Sequence, residues 1–407
     1  MVTLRALGLD PASLPSRYLI RGARLLTSGQ EIVDGAVCVE GSRIIAAGRA
    51  ADVAEFRSLP ALDAGEGILA PGYVDIHVHG GGGADAMDGT VEALATMARL
   101  HARHGTTAML ATVATGPWER IVRAVGAVRE AAAQPPERWD GAQILGLHLE
   151  GPFINPGFKG AHPAEHIRVP TPELVEEIWE SAGGTWRLVT LAPERWPAAL
   201  LRHLMSRGVT VSIGHTAATY EQARAAVDAG ARHVTHVFNA MVSWHHRKPG
   251  VLGVALTDDR VTAEVIADGI HVHPAGVRLA LRAKGRERLV LVTDAVRAAG
   301  EPDGTYEMLG RTVVASGGTV ALPDGTLAGS ALTMARAVAN TAAFGGLPLA
   351  SATALATLNP ARVIGADGRK GRLAPGHDAD LVVLDADGRV HLTVARGRVI
   401  AGLDAIA

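Results

Sequence analysis

The chain has 407 residues, of which 48% are apolar and 20% charged, and its formal net charge is −2. This length exceeds what one hydrophobic core usually organises, so we expect one large domain and one smaller domain. The near-zero net charge gives no electrostatic reason to expect nucleic acid or an anionic membrane as a partner. No apolar stretch approaches the ~18–20 residues that could span a bilayer, and the amino-terminal segment lacks the continuous apolar run of a secretory signal. We therefore expect a cytoplasmic globular protein whose partners are small molecules.

Short strands and turns are predicted at both ends of the chain. Residues 16–64 read as apolar runs that are each closed by Gly or Ser, as in RYLIRGARLLTSG. The segment 378–402 repeats this style, with Asp-Gly and Arg-Gly between alternating apolar runs, as in hairpin turns. Because chain termini commonly lie close together, the two ends are predicted to form one small β-sandwich domain from residues 1–67 and 366–407.

Strands alternate with helices between these two ends, over residues 68–365. Helical periodicity is found at 91–104, 119–133, 171–182 and 219–230, the last with Thr219 as its N-cap. Alternation over about 300 residues indicates a parallel sheet, and eight largely apolar strands favour a closed (β/α)₈ TIM-like barrel. A doubly wound sheet is the alternative, but no GxGxxG opens a helix after a strand. The eight predicted strands are 73–79, 106–113, 143–150, 187–193, 209–215, 233–239, 262–268 and 289–295.

Residues that can bind a metal follow five of the eight predicted strands. Active sites of such barrels lie at the carboxyl ends of the strands, so these side chains are expected to meet. A single histidine on an apolar strand is more often a hydrogen-bonded core residue, and the coincidence of the whole set is what indicates a metal centre. The set is His77 and His79 after the first strand, Glu150 after the third, His215 after the fifth, His236 after the sixth and Asp294 after the eighth.

The other histidines are interpreted as structural. His148 shares a face with Glu150 but lies one layer deeper, so it is expected to be a polar core residue. His233 is an odd number of positions from His236, so strand alternation is expected to turn it outward. The histidines of helical and terminal segments are expected at the surface: His101, His104, His166, His203, His377 and His391.

Nitrogen and oxygen ligands with one open position favour hydrolytic chemistry. A divalent metal in such a site lowers the pKa of a water ligand towards ~7 and polarises a carbonyl oxygen. Amide hydrolysis also needs a group that takes a proton from water and then gives it to the leaving group. We assign that role to Asp294.

The motifs of the chain resemble those of the N-acetylglucosamine-6-phosphate deacetylases of the amidohydrolase superfamily. The resemblance extends from about residue 18 to the end and rests on PGYVDIHVHGGGG (71–83), GLHLEGPFINPGFKGAH (146–162), SIGHTAAT (212–219) and THVFNAM (235–241). It implies removal of the acetyl group from N-acetylglucosamine 6-phosphate, giving glucosamine 6-phosphate and acetate. It also implies that Glu150, His215 and His236 bind the principal metal, and that Asp294 is the general acid/base.

The same resemblance implies a substrate site. His162 matches the position that helps to polarise the substrate carbonyl. Arg247 matches an arginine that reaches the phosphate in the neighbouring subunit's site, which implies a homodimer. Such a role suits a guanidinium, which is always charged and pairs bidentately with phosphate. The remaining sugar-binding and pocket-lining matches are Ala161, Asn239, Ala240, His271, Leu327, Ala328 and Gly329.

The number and identity of the metals are left open by the sequence. None of the four lysines follows a barrel strand, so a bridging carboxylated lysine is not expected, and Glu150 occupies that place. His77 and His79 would hold a second ion with Glu150 or Asp294, or would act as hydrogen-bonding supports if one ion binds. Zinc suits the ligand set, with Fe²⁺, Co²⁺ and Mn²⁺ as alternatives.

Two other functions compete with this interpretation. One is hydrolysis of another N-acetylhexosamine phosphate, such as the galactosamine isomer, because the metal centre meets only the acetamide. The other is a non-catalytic scaffold, which should have lost metal ligands, whereas here none is missing.

Overall fold

The computed structural model describes residues 2, 4–7, 10, 14–27 and 30–402. Parts of the predicted terminal segments, including residues 403–407, lie outside the described residues. No helix of the described chain is long and apolar enough to cross a membrane.

Eight parallel strands form the predicted barrel. Each strand pairs with the next one along the chain, and closure is made between the eighth and the first, where the Asp294 N–H donates to the His77 carbonyl at 2.9 Å. Val78 and Ala295 form a parallel bridge at the same junction. The barrel strands are Tyr73–Val78, Thr106–Ala114, Gln143–Glu150, Trp186–Leu191, Thr210–Ile213, His233–Val234, Thr262–Ile266 and Leu289–Val292.

Several barrel strands end earlier than the sequence predicted. The sixth strand has two residues where seven were expected, and the fifth and eighth have four each. The backbone turns to positive φ at His215, His236 and Asp294, with values of 47°, 25° and 49°. Extended pairing cannot continue through this conformation. These three candidate metal ligands therefore lie on tight turns just beyond the strands.

Helices cover the barrel, and the longer ones bury one face. The helix Val91–Arg103 packs Leu94, Met97 and His101 inward at helical spacing. Thr219 caps its helix as predicted, since its side chain accepts from the Gln222 N–H. The helices are Val91–Arg103, Trp118–Ala132, Pro172–Ala182, Ala198–Ser206, Tyr220–Ala229, Gly250–Thr257, Pro274–Arg288, Met334–Gly345, Leu349–Ala354 and Leu358–Val363.

His101 corrects one prediction. It was expected at the surface but is fully buried, and its Nε2 lies 2.9 Å from the Gly80 carbonyl oxygen. The position belongs to the apolar face of its helix, so helical spacing outweighs residue type here. Burial lowers the pKa of His101 to about 4, and the ring is therefore neutral at neutral pH.

Strands from both chain ends form one nine-stranded sheet, which confirms the predicted small β domain. Leu69, before the barrel, pairs with Val383, after it. Buried residues such as Tyr18, Leu25, Leu381 and Val394 share one apolar core. The exact domain bounds remain a proposal. The strand Ile68–Pro71, which the sequence placed in the barrel domain, pairs within this sheet. The strands are Arg5–Leu7, Arg17–Leu26, Glu31–Glu40, Arg43–Arg49, Ala61–Asp63, Ile68–Pro71, Leu381–Leu384, Val390–Ala395 and Arg398–Ala401.

A four-stranded antiparallel sheet is inserted after the eighth barrel strand and was not predicted. Two of its turns contain Gly317-Gly318 and Asp324-Gly325, which are typical hairpin signals. The third contains Leu309-Gly310, where both residues have positive φ. The sheet matters for function because it forms one wall of the cavity described below. Its strands are Gly304–Met308, Arg311–Ser316, Thr319–Ala321 and Leu327–Ser330. A smaller two-stranded sheet joins Gly80–Gly81 to Ala84–Asp85.

Candidate metal centre and active site

Glu150, at the end of the third strand, is the centre of the cluster. It is 2% exposed and faces imidazoles that arrive from several different strands and loops. Burial alone would raise the pKa of Glu150, but the charge of His77 and the polar contacts of three other histidines hold it well below its usual range. The Nε2 atoms of His77, His79, His162, His215 and His236 lie 3.3, 3.1, 3.5, 3.2 and 3.1 Å from its carboxylate oxygens.

His215 and His236 have an arrangement that fits a shared cation. Their Nε2 atoms lie 3.1 Å apart. His215 Nδ1 lies 2.8 Å from the Phe158 carbonyl oxygen, which can only accept, so the Nδ1 of a neutral His215 carries the proton. Its Nε2 then presents a lone pair to both Glu150 and His236. A cation among these atoms would satisfy this otherwise unfavourable set.

His77, His79 and Asp294 form a second candidate group of ligands. Their potential ligand atoms all lie within 4.8 Å of one another, as do those of Glu150, His162 and His215. Asp294 Oδ1 is 3.4 Å from His77 Nε2 and 3.2 Å from His79 Nε2. Burial would raise the pKa of Asp294, but the charge of His77 and a hydrogen bond from His79 lower it to about 2. The carboxylate is therefore ionised at neutral pH.

A cavity of about 280 Å³ opens beside these groups. Met308 and Thr326 of the inserted segment line one side of it. His271 is held by Asp268, whose Oδ2 lies 2.6 Å from the ring Nδ1. Most of the predicted substrate-binding residues border this space: Ala161, His162, Asn239, Ala240, His271, Leu327 and Gly329.

Two predicted substrate-binding residues do not border the cavity. The Ala328 side chain is buried in an apolar cluster with Val296 and Met308. Arg247 is exposed on the loop after the sixth strand, and its Nη1 lies 2.8 Å from His246 Nε2. Within a single chain, Arg247 does not line this cavity.

A family model described as "Amidohydrolase family" matches residues 68–400. The chain belongs to the amidohydrolase family. The match begins at the last strand before the barrel and continues through the carboxyl-terminal strands, so it includes every residue of the cluster around Glu150.

Two similar relatives of this amidohydrolase are named as deacetylases of N-acetylated sugar phosphates. The N-acetylglucosamine-6-phosphate deacetylase of Bacillus subtilis is 43% identical over 335 residues, which are 82% of this chain and 85% of the relative. The N-acetylgalactosamine-6-phosphate deacetylase of Escherichia coli O157:H7 is 43% identical over 320 residues, 78% of this chain and 84% of the relative.

A solved structure has the same architecture as this amidohydrolase. A mutant of the N-acetyl-D-glucosamine-6-phosphate deacetylase from Mycobacterium smegmatis, in complex with N-acetyl-D-glucosamine-6-phosphate, superposes with a TM-score of 0.88 at 36% identity. The match covers 95% of this chain and all of that one.

The structure of the amidohydrolase also corrects the expectation for His233. It was predicted to point outward, but it is fully buried with its Nε2 2.9 Å from Glu264 Oε1. The sixth strand ends at Val234, so strand alternation does not extend to His236. His148 does lie in the core as expected, between the hydroxyls of Thr112 and Thr190.

Sequence reasoning missed Glu264 in this amidohydrolase. Its carboxylate is fully buried behind the cluster, with Oε2 3.0 Å from His77 Nδ1. The signal was present, because an acidic residue inside the apolar run TAEVIAD is costly to bury without a partner.

Proposed function

We propose that the protein deacetylates N-acetylglucosamine 6-phosphate, giving glucosamine 6-phosphate and acetate. The observation that carries the proposal is the convergence of imidazoles and two ionised carboxylates beside one cavity in an amidohydrolase. The names of the relatives with which it aligns over most of their length support the choice of substrate. The cytoplasmic location expected from the composition stays a prediction.

A divalent metal is the cofactor that fits these side chains, and we propose zinc. Glu150, His215 and His236 would hold the principal ion. His77 and His79 would hold a second ion, with Glu150 or Asp294 as the shared carboxylate. When bound, the metal would lower the pKa of a water molecule and polarise the acetamide carbonyl. Iron, cobalt or manganese would suit the same imidazole and carboxylate ligands.

Asp294 is the proposed general acid and base. Its ionised carboxylate borders the cavity and can accept a proton from the attacking water. After the carbon–oxygen bond forms, the same carboxyl group gives that proton to the nitrogen of the sugar. The carbon–nitrogen bond then breaks, and acetate and the free amine leave.

His162 is the proposed donor to the carbonyl oxygen. Burial lowers the pKa of His162 to about 4, so its ring is neutral at neutral pH. The Thr115 hydroxyl lies 2.8 Å from Nδ1 and can donate to it. In that tautomer the proton is on Nε2, which lies 3.5 Å from Glu150 Oε2. Because His162 lines the cavity, this N–H would stabilise the negative charge that develops on the carbonyl oxygen.

The sugar phosphate would contact the inserted sheet and the loop after the sixth strand. We propose Asn239, Ala240 and His271 as sugar or phosphate contacts, with Ala161 and the segment 327–329 shaping the pocket. Arg247 would complete the phosphate site of a second copy, because it lies outside its own cavity. We therefore propose a homodimer as the active form.

The galactosamine isomer is the second candidate substrate. The relative from Escherichia coli that is named for it is as similar in sequence, at 43% identity, as the glucosamine-named relative from Bacillus subtilis. The two sugars differ in the direction of one hydroxyl, while the acetamide is the same.

Acetate release tests the proposal directly. Zinc-loaded protein is supplied with the 6-phosphates of N-acetylglucosamine and N-acetylgalactosamine, and with unphosphorylated N-acetylglucosamine as the control. We expect the highest kcat/KM with N-acetylglucosamine 6-phosphate and a much lower value without the phosphate. A preference of tenfold or more for the galactosamine compound would reject the glucosamine assignment. Absence of acetate from every acetamido sugar would favour a non-catalytic scaffold.

A further inference from the structure

Glu264 is a buried carboxylate for which the proposed reaction has no role. It lies on the seventh barrel strand and is fully buried. Oε2 is 3.0 Å from His77 Nδ1 and accepts from the His236 N–H at 3.2 Å. Oε1 is 2.9 Å from His233 Nε2. One carboxylate therefore contacts residues of both candidate ligand groups from behind.

The contact with His77 determines which ring nitrogen carries the proton. A neutral imidazole has a single N–H, and an ionised carboxylate can only accept. When a cation binds, His77 would be neutral, and a proton on Nδ1 would leave the lone pair of Nε2 facing Glu150 and Asp294, at 3.3 and 3.4 Å. The opposite tautomer would leave a buried carboxylate oxygen without this donor and would aim a proton at the centre, where a cation is to bind.

The orientation of Glu264 is itself fixed. His233 contacts its other oxygen, and His233 Nδ1 lies 2.6 Å from the Thr262 hydroxyl. Both oxygens thus have partners within the barrel. The bond from the His236 N–H also braces the turn at which His236 has a φ of 25°. These contacts hold the carboxylate rigidly relative to the imidazoles.

We propose that Glu264 is a positioning residue that fixes the tautomer and orientation of His77, so that His77 Nε2 is a metal ligand. The proposal rests on the metal-dependent function proposed above. It predicts that the affinity for the ion bound by His77 depends on Glu264, although Glu264 does not face the cavity. Carboxylates that accept from a metal-binding histidine typically contribute 10–100-fold to metal affinity.

Zinc binding to the Glu264→Gln variant tests this. Glutamine keeps the shape but removes the charge and one acceptor. Metal-free protein is titrated with zinc by calorimetry, and the zinc content of purified protein is measured. We expect wild-type protein to bind two equivalents, and E264Q to bind one of them with 10–100-fold lower affinity. Unchanged zinc affinities in E264Q, or one equivalent in the wild type that E264Q retains, would overturn the proposal.

Two controls keep the test independent of folding and of catalysis. Asp380→Asn removes a buried carboxylate of the terminal sheet domain, which lies 2.7 Å from Lys370 Nζ, and should lower Tm without changing zinc binding. If E264Q does not fold, nitrogen-15 NMR of the zinc-loaded wild-type protein still reports the tautomer, and a proton on Nε2 of His77 in the presence of zinc would overturn the proposal. Zinc binding is measured without substrate, so the two proposals can fail separately. If E264Q binds zinc more weakly as expected but the wild-type protein releases no acetate, only the deacetylase function is rejected.

Discussion

Asp294 combines a structural and a chemical feature in one residue. Its backbone N–H closes the barrel at His77, while its carboxylate lies near His77 and His79 and is 8% exposed towards the cavity. Because the neighbouring positive charge overcomes the effect of burial, its pKa of about 2 leaves it ionised. The carboxylate is therefore in the form that accepts a proton, at a position that borders the cavity.

The Asp294→Asn variant should lose turnover and keep its ligands. Asparagine has nearly the same shape but cannot accept and return a proton, so we expect kcat to fall about 10²–10⁴-fold. Zinc content and KM should change little. Asp259→Asn, at an exposed aspartate beside Arg288, serves as the matched control. Near-normal turnover of D294N would remove Asp294 from the proton-transfer role.

Arg247→Ala tests the phosphate contact. The arginine is exposed and is proposed to bind the phosphate in the site of a second copy. We therefore expect its loss to raise KM for the phosphorylated sugar by about tenfold or more, with kcat nearly unchanged. Lys248→Ala, at the adjacent exposed cation, is the control and should leave KM unaltered. An unchanged KM in R247A would contradict a phosphate contact.

At the scale of the elements, the sequence predicted the barrel because strands and helices alternate with clear periodicity. The candidate ligands could be found because polar residues follow apolar strands. The inward turn of His233 could not be found from alternation, since the sixth strand has only two residues. The inserted sheet at 304–330 was not predicted because a (β/α)₈ pattern leads one to expect only a helix after the eighth strand. The contact of Glu264 with His77 could not be predicted because it joins residues that are far apart in the chain.

The helix carrying His101 gives a prediction of pH dependence. The pKa of this ring is about 4 in the folded protein, whereas the ordinary value of a histidine is 6.5. Between pH 6.5 and pH 4 the unfolded chain therefore binds a proton that the folded protein does not. Stability should therefore fall as the pH is lowered from 6.5 towards 4. His101→Gln keeps a donor for the Gly80 carbonyl but does not titrate.

Urea unfolding at pH 7 and pH 5 measures this effect. From the titration of His101 alone, we expect the wild-type free energy of unfolding to be about 2 kcal/mol lower at pH 5 than at pH 7. H101Q should not show this contribution. Other titrating groups lower the stability of both proteins equally. Equal losses in the wild type and in H101Q would show that His101 is not the source.

At the scale of the whole molecule, the candidate ligands join the first, third, fifth, sixth and eighth strands. A cation bound there connects parts of the barrel that are distant in sequence. The Nε2 atoms of His215 and His236 lie 3.1 Å apart beside the Glu150 carboxylate, where a cation would hold the three side chains together. The metal should therefore stabilise the fold as well as support the chemistry.

Metal removal should lower Tm. A ligand that binds only the folded state at a hundredfold excess over Kd adds about 2.7 kcal/mol, so chelation followed by zinc titration should shift Tm down and then up again. The Tm of the Glu150→Gln variant should respond much less to zinc, because Glu150 contacts every imidazole of the cluster. A Tm that does not depend on zinc in the wild type would argue against a metal bound at the barrel mouth.

The pairing of Leu69 with Val383 sets a condition on biosynthesis. The two residues are separated by about 300 positions, so the sheet that contains them cannot be completed until nearly the whole chain has left the ribosome. Until then, the edge of Ile68–Pro71 that Leu381–Leu384 will occupy has no partner, and open edges of this kind promote aggregation. Shortening the chain from its carboxyl end should therefore harm recovery of soluble protein even though every metal-binding residue is retained.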